Sequence, residues 1–226
     1  MSESPPKLPP VPRALAFMAR AVLSSVARVH VEGAHDLPLT GPLIVAPNHL
    51  SNADPPIVAG WLAPALGRRP RFLAKEQIFL GPVASFLEWQ GAVKVKAGGS
   101  DADAYRVCRK LLETGEALII FPEGTRSPDG MLGKAMPGVA LLATRTAVPI
   151  LPVGISGTDR FLGRGAHFPR IGARITVRIG SPFQLVADPA LPRRQALEAA
   201  NVELMRRIAA LVDERHRNGY EPWPDD

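Results

Sequence analysis

The sequence predicts an α/β fold: a single domain with a largely parallel mixed sheet flanked by helices, led by an N-terminal amphipathic membrane-surface helix. Three observations predict it. Near-continuous apolar runs at residues 43–46 and 117–121 read as strands covered on both faces. Such runs alternate along the chain with segments of helical period, the pattern of a parallel sheet. The 226 residues suffice for one sizeable core, and no internal repeat divides them. In such sheets the site lies at the carboxyl ends of the strands.

Taken in order, residues 1–12 are polar and proline-rich and read as a disordered tail. Residues 13–30 read as a membrane-associating helix. Its apolar positions include Leu15, Phe17, Met18, Val22, Leu23 and Val26, and Arg13, Arg20 and Arg28 could snorkel to the polar side. The run is too short, and carries an internal arginine, for a spanning helix. The competing reading is a helix packed on the core. Residues 31–217 form the domain proper and 218–226 a tail, acidic and mobile from Glu221. Within the domain, a helix after Pro55 carries Ile57, Val58 and Trp61 and stops near Gly67. A strand at 71–75 precedes an apolar run at 78–87, for which core is the default and a lipid or acyl surface the alternative. Residues 91–96 read as a strand with lysines on one face. The helix at 101–114 has an apolar stripe that includes Cys108, a packed thiol. A helix at 139–145 lies between the strands at 117–121 and 148–155. A half-exposed strand at 173–179 and a helix at 193–217 complete the domain.

Charge and composition narrow the partners. The formal net charge of +6 favours an anionic partner. The basic residues are scattered, with no recognisable nucleic-acid module. The single cysteine excludes an intrachain disulfide framework. The five histidines, at 30, 35, 49, 167 and 216, show no close ligand spacing, so no metal is expected.

Two loops carry the chemistry, each directly after a predicted strand. The first, residues 46–55, holds His49 and Asp54. Residues five apart point away from each other on a helix and lie on opposite faces of a strand, so the two meet only if the loop folds back. Folded back, they are a general base and the carboxylate that orients it. Alternatively, Asp54 caps the helix that Pro55 opens, and His49 is an ordinary loop residue. Ser51 lacks the glycine-flanked elbow of a serine hydrolase. The second loop, residues 122–130, sets Glu123 and Arg126 around Gly124. Gly124 permits close backbone approach to a ligand, and Arg126 offers a fork suited to phosphate. Glu123 could orient that arginine or hold a hydroxyl; an ordinary Glu123–Arg126 pair in a turn is the plainer possibility.

These motifs resemble the glycerolipid acyltransferase family, whose best-known members are 1-acylglycerol-3-phosphate acyltransferases. NHLSNAD at residues 48–54, FPEGTRS at 121–127 and VPILPVGISG at 148–157 match its blocks in order and spacing, and the VEG and GPLIVAPNH strings match as well. The similarity covers about residues 29–183. It implies that 31–217 is an acyltransferase domain in which His49 is the base and Asp54 its orienting acid. The activated hydroxyl would attack a thioester directly, without an acyl-enzyme. The resemblance places Asn48, Glu123, Gly124, Thr125, Arg126 and Lys96 with the substrates, Arg126 on the acceptor phosphate and Pro152 on the donor side. It implies acyl-CoA or acyl-carrier protein as donor, no further cofactor, a lysophospholipid acceptor, and peripheral attachment to the cytoplasmic side of a membrane. Two positions depart from the family. Ala97 stands where an arginine is usual, with Lys94 and Lys96 nearby. Lys134 is displaced from the lysine that commonly precedes the glycine aligned with Gly138, where Met136 lies closer. Both departures keep open another lipid acceptor, such as an amino-acid lipid or glycolipid hydroxyl. A non-catalytic lipid- or CoA-binding module is the reading from another class.

Overall fold

The computed structural model describes residues 10–33, 37, 40–81, 84, 87–88, 91–96, 100–166 and 168–224. Seven strands form one sheet: β1 (Ala27–Glu32), β2 (Leu43–Pro47), β3 (Arg71–Lys75), β4 (Ala92–Val95), β5 (Ala117–Ile119), β6 (Ile150–Ser156) and β7 (Ala173–Ile179). Their order is β1-β7-β6-β2-β5-β3-β4, with every described pairing parallel except β6 with β7. The α-helices that lie wholly within the described residues are α1 (Pro10–Val26), α2 (Asp54–Leu66), α3 (Asp101–Glu113), α4 (Pro137–Thr146), the single-turn α5 (Thr158–Phe161) and α6 (Arg193–Leu211).

The period of two in the buried strands divides the core into two layers. Ile44, Ala46, Leu118 and Ile150 face α3, α4 and α6. Leu43, Val45, Ile119, Leu151 and Val153 face α2, α5 and the end of α1. This places β2 and β5 side by side in the middle of the sheet, buried on both faces. The loops at their carboxyl ends therefore emerge together.

The observed elements depart from the sequence reading in four places. The N-terminal helix begins at Pro10, so residues 10–12 of the expected tail are helical, and it stops at Val26, where residues 27–32 form strand β1, paired in parallel with β7. The segment ARVHVE alternates at a strand's period, and Gly33 can close against the end of β7 only as glycine: a Cβ there would lie 2.0 Å from the Ile179 carbonyl oxygen. Arg20 does not snorkel outward. Its Nε donates to the Gly60 carbonyl at 2.8 Å. That carbonyl lacks its helical partner because the residue four ahead is Pro64, which has no N–H. The arginine thus repairs a gap inside α2 while Phe17, Met18 and Val22 remain exposed on α1. No described helix is long and apolar enough to cross a membrane. The expected core run at 78–87 leaves Ile78 and Leu80 exposed, the remainder being only partly within the described residues. Finally, α6 ends at Leu211, and the described part of the expected tail, residues 218–224, is packed back. Trp223 lies 4.6 Å from the Arg207 guanidinium, and its N–H donates to Arg206. Residues 1–9 of the expected disordered tail, and His35 and His167, lie outside the described residues.

Candidate active site

Asn48, the residue after β2, is fully buried. Its side-chain N–H donates to the Ile155 carbonyl at 3.0 Å, and its Oδ1 accepts from the Ile155 N–H at 2.7 Å. A side-chain amide here imitates a peptide and carries the pairing of β2 with β6 one residue further. Asn48 is therefore engaged with the scaffold, and it fixes where the next residue leaves the sheet.

That residue is His49, and the loop does fold back. His49 Nδ1 lies 2.9 Å from Asp54 Oδ2. The same oxygen accepts the backbone N–H groups of Leu50 at 2.6 Å and Ser51 at 2.7 Å. Asp54 is fully buried and is the first residue of α2, not its cap. The reason lies in the sequence: Pro55 and Pro56 have no N–H to offer a capping carboxylate. The acid is thereby released from its own helix and turned onto the loop before it. Ser51 reinforces the turn, donating through Oγ to Leu162 at 2.6 Å and accepting from Ala53 at 3.1 Å. The imidazole also stacks on Phe121, with ring centroids 4.1 Å apart. In the tautomer whose Nδ1–H donates to the carboxylate, Nε2 presents its lone pair, and Nε2 has no partner among the described residues. No cation other than His49 lies within ion-pair reach of Asp54 among the described residues. Asp54 Oδ1 is buried without a partner. An imidazolium formed at His49 thus supplies the charge this carboxylate lacks.

The second loop is tied to the first through Glu123. Its Oε1 accepts from the His49 N–H at 2.8 Å, and its Oε2 from the Gly133 N–H at 2.7 Å. The Ser127 N–H donates to the His49 carbonyl at 2.8 Å. Burial pushes the Glu123 carboxyl above its ordinary range, against the pull of those two N–H donors. Glu123 is a brace between loops, and the Glu123–Arg126 pair does not form. Arg126, half-buried, has no hydrogen bond or ion pair among the described residues. Gly124 turns at a φ of +68°, and a Cβ there would meet the Met136 side chain at 2.9 Å. Thr125 is exposed beside it.

Two expected residues stand apart. Pro152 is buried within β6, opposite Ala46 of β2, and contributes to the sheet beneath the loops. Lys96 is exposed just past β4 and separated from β5 by β3, and Ala97 is outside the described residues. Lys94 is paired with Glu88 at 2.5 Å and lies over the Phe79 ring. Cys108 is buried in α3, where desolvation pushes its thiol up to about 11, away from nucleophilic use. Sequence reasoning missed Phe121, Gly133 and Ser51. Phe121 could have been suspected from its place at the end of the β5 run. Nothing in the sequence marks the Gly133 N–H or the Ser51–Leu162 contact.

Comparison with known proteins places this geometry. A family model described as "Acyltransferase" matches residues 28–156, more than half of the chain. A chloroplastic 1-acyl-sn-glycerol-3-phosphate acyltransferase of Arabidopsis thaliana is 31% identical over 144 residues, covering 62% of this chain and 39% of the relative. Its counterpart in Brassica napus is 31% identical over 184 residues, covering 77% and 52%. The chain thus spans about half the length, or less, of these curated relatives. The crystal structure of the 1-acyl-sn-glycerophosphate (LPA) acyltransferase PlsC from Thermotoga maritima superposes with a TM-score of 0.67 at 26% identity, covering 86% of this chain and 76% of that one. The matched segment contains β2, β5, β6 and both loops of the site, and on these grounds the chain belongs to the glycerolipid acyltransferase family.

Proposed function

We propose that this protein is an O-acyltransferase that moves a fatty acyl group from a thioester donor to the hydroxyl of a lysophospholipid, foremost 1-acylglycerol-3-phosphate. The observation that carries the reading is the His49–Asp54 contact at 2.9 Å, with Nε2 unpartnered and the bare guanidinium of Arg126 on the adjoining loop.

In this reading the acceptor hydroxyl gives its proton to His49 Nε2 as its oxygen bonds to the thioester carbonyl carbon. Asp54 holds the ring in the required tautomer and balances the imidazolium. The tetrahedral intermediate then expels the thiolate, which takes the proton back from His49. One ester forms and one thioester breaks, and the histidine returns to its starting state. Arg126 pairs with the acceptor phosphate. Glu123 holds the base's backbone in place. The exposed Phe17, Met18 and Val22 lie against the lipid surface from which the acceptor comes, on the cytoplasmic side of the membrane. The names of the relatives support the phosphorylated acceptor. The engagement of Lys94 by Glu88 favours keeping a second reading, the same reaction on a different lipid hydroxyl, because one cation near Ala97 is already paired.

The test is release of free thiol from palmitoyl-CoA, with and without lysophosphatidic acid, by wild type and His49→Ala. Acceptor-dependent release that the variant abolishes supports the proposal. Release indifferent to acceptor, or undiminished in the variant, would overturn it.

A further inference from the structure

Two large apolar side chains stand in water beside the site. Phe168 is 85% exposed and Ile171 81%, both in the connection from α5 to β7. The backbone around them is fastened. The Ala166 N–H donates to the Gly163 carbonyl at 3.0 Å, the Arg170 N–H to the Phe161 carbonyl at 2.8 Å, and the Gly172 N–H to the Val26 carbonyl at 2.7 Å. A fixed backbone that holds such side chains out of the core forgoes their burial, and exposed apolar groups of this size mark contact surfaces.

Topology sets this connection on the rim of the site. Strand β6 is parallel to β2, β7 is antiparallel to β6, and β1 is parallel to β7. The beginnings of β1 and β7 therefore lie at the edge of the sheet where β2, β5 and β6 end, the edge that carries His49 and Arg126. A direct contact agrees with this: the Ser51 Oγ that donates to Leu162 joins the first site loop to the start of the connection. Helix α1 arrives at the same place. Met18, Val22 and Val26 lie four apart and form one row along it. That row ends at the carbonyl that holds Gly172.

Charge decides what covers this surface. No acidic residue stands between Asp159 and Asp188 in the sequence. Arg164 and Arg170, both exposed, flank the two apolar side chains. Arg28 and Arg174 are exposed neighbours in register on β1 and β7, at the base of the connection, where their like charges repel. Among the described residues none of these four guanidinium groups meets an acid. Apolar tips set among unneutralised arginines match a bilayer with anionic headgroups: its acyl region takes the tips, and its phosphates pair with the arginines.

We propose that Phe168 and Ile171 insert into an anionic phospholipid bilayer and, together with α1, seat the mouth of the site on its surface. The inference rests on the membrane face assigned to α1 under the proposed function and deepens it with a second point of contact. A single helix lying on a membrane leaves the protein free to roll about the helix axis. A second contact at the end of that helix, on the rim of the site, removes the freedom and turns the site loops toward the leaflet that holds the acceptor.

The experiment uses the full chain and vesicles of phosphatidylglycerol and phosphatidylcholine whose acyl chains carry bromine, a contact quencher of indole fluorescence. Phe168→Trp is compared with wild type, whose Trp61, Trp89 and Trp223 give the background. The added indole should be quenched and shifted to the blue. In cosedimentation, Phe168→Ser/Ile171→Ser should weaken vesicle binding by about tenfold or more, the worth of two apolar side chains partly withdrawn from water. Arg164→Ser/Arg170→Ser should weaken it by about tenfold on the anionic vesicles and leave binding to phosphatidylcholine alone as in wild type. All four positions are exposed, so a thermal melt should match wild type. An added indole that stays unquenched on vesicle-bound protein would overturn the proposal and leave the membrane face of α1 standing. Undiminished binding by Phe168→Ser/Ile171→Ser would also overturn it and give the surface to a protein partner. Wild type that binds no vesicle would overturn both membrane contacts. The other readings fail separately. A quenched indole with undiminished binding by Phe17→Ser/Val22→Ser removes α1 alone, and a quenched indole without acceptor-dependent thiol release removes the proposed reaction and keeps the contact.

Discussion

The two loops of the site begin alike, each at the carboxyl end of a buried central strand, and end in opposite conditions. In the first, Asn48, Ser51 and Asp54 are fully buried, and their side chains are joined to the protein. In the second, Gly124 and Thr125 are exposed and Arg126 has no partner among the described residues. In the proposed reaction the difference separates two tasks. A proton transfer requires one ring nitrogen held in one direction, and the scaffold supplies that through bonds to both neighbours of the ring. Recognition of a phosphate requires a cation whose bonds are still to be made. Glu123 belongs to both halves: it lies on the second loop in sequence and fastens the first in space.

This contrast predicts a graded series of effects. His49→Ala should lower kcat by about 10²–10⁴, the usual contribution of a general base, with the KM for either substrate little changed. Steady-state kinetics on folded protein check it, and near-normal turnover would remove the base. Asp54→Asn should lower kcat within a similar range, about 10⁴ at most, because an amide can present its N–H to Nδ1 and favour the wrong tautomer. Arg126→Ala should act on the other side of the comparison. It should raise the KM for a phosphorylated acceptor by about 10–100-fold, the loss of one charged hydrogen-bonding group, and leave that of a non-phosphorylated acceptor unaltered.

Glu123→Gln should weaken the connection between the loops. One of the two N–H donors would face an amide N–H, at a cost of about 1–3 kcal/mol in unfolding free energy measured by denaturant titration. The wild-type excess over this variant should also depend on pH. Burial raises the Glu123 carboxyl, so the fold binds its proton more tightly than the unfolded chain does. The excess should therefore decline as pH rises from the ordinary value of 4.5 to the raised one, and level off above it. An excess that instead grew with pH would contradict the burial argument. The smallest effect belongs to α1: Phe17→Ser/Val22→Ser should reduce cosedimentation with anionic vesicles, leaving the melting temperature in place because both side chains are exposed. Unreduced vesicle binding would refute the membrane face.

Legibility in the sequence followed the range of the forces involved. Strands β2 and β5 could be read because double-sided burial demands consecutive apolar residues, and α3 because one buried stripe demands a helical period. His49 and Asp54 could be paired because their spacing leaves a folded-back loop as the way for them to meet. Strand β1 could not be separated from α1, since its partner β7 lies more than a hundred residues away and the apolar run continues across the boundary. The inward turn of Arg20 depends on a carbonyl freed by Pro64, a consequence visible only once the two helices touch. Glu123 read as a partner of Arg126 because the two are close in sequence. Its actual partners are backbone N–H groups, and backbone groups are the same at every residue.

The central claim is that Asp54 acts through His49. The most direct measurement is a double-mutant cycle in acceptor-dependent thiol release under single-turnover conditions, with His49→Ala, Asp54→Asn and the pair together. If the carboxylate serves only to hold and balance the ring, the double variant will be no slower than the slower single variant. If the two losses instead multiply, Asp54 has a separate function and the assignment of base and orienting acid is wrong.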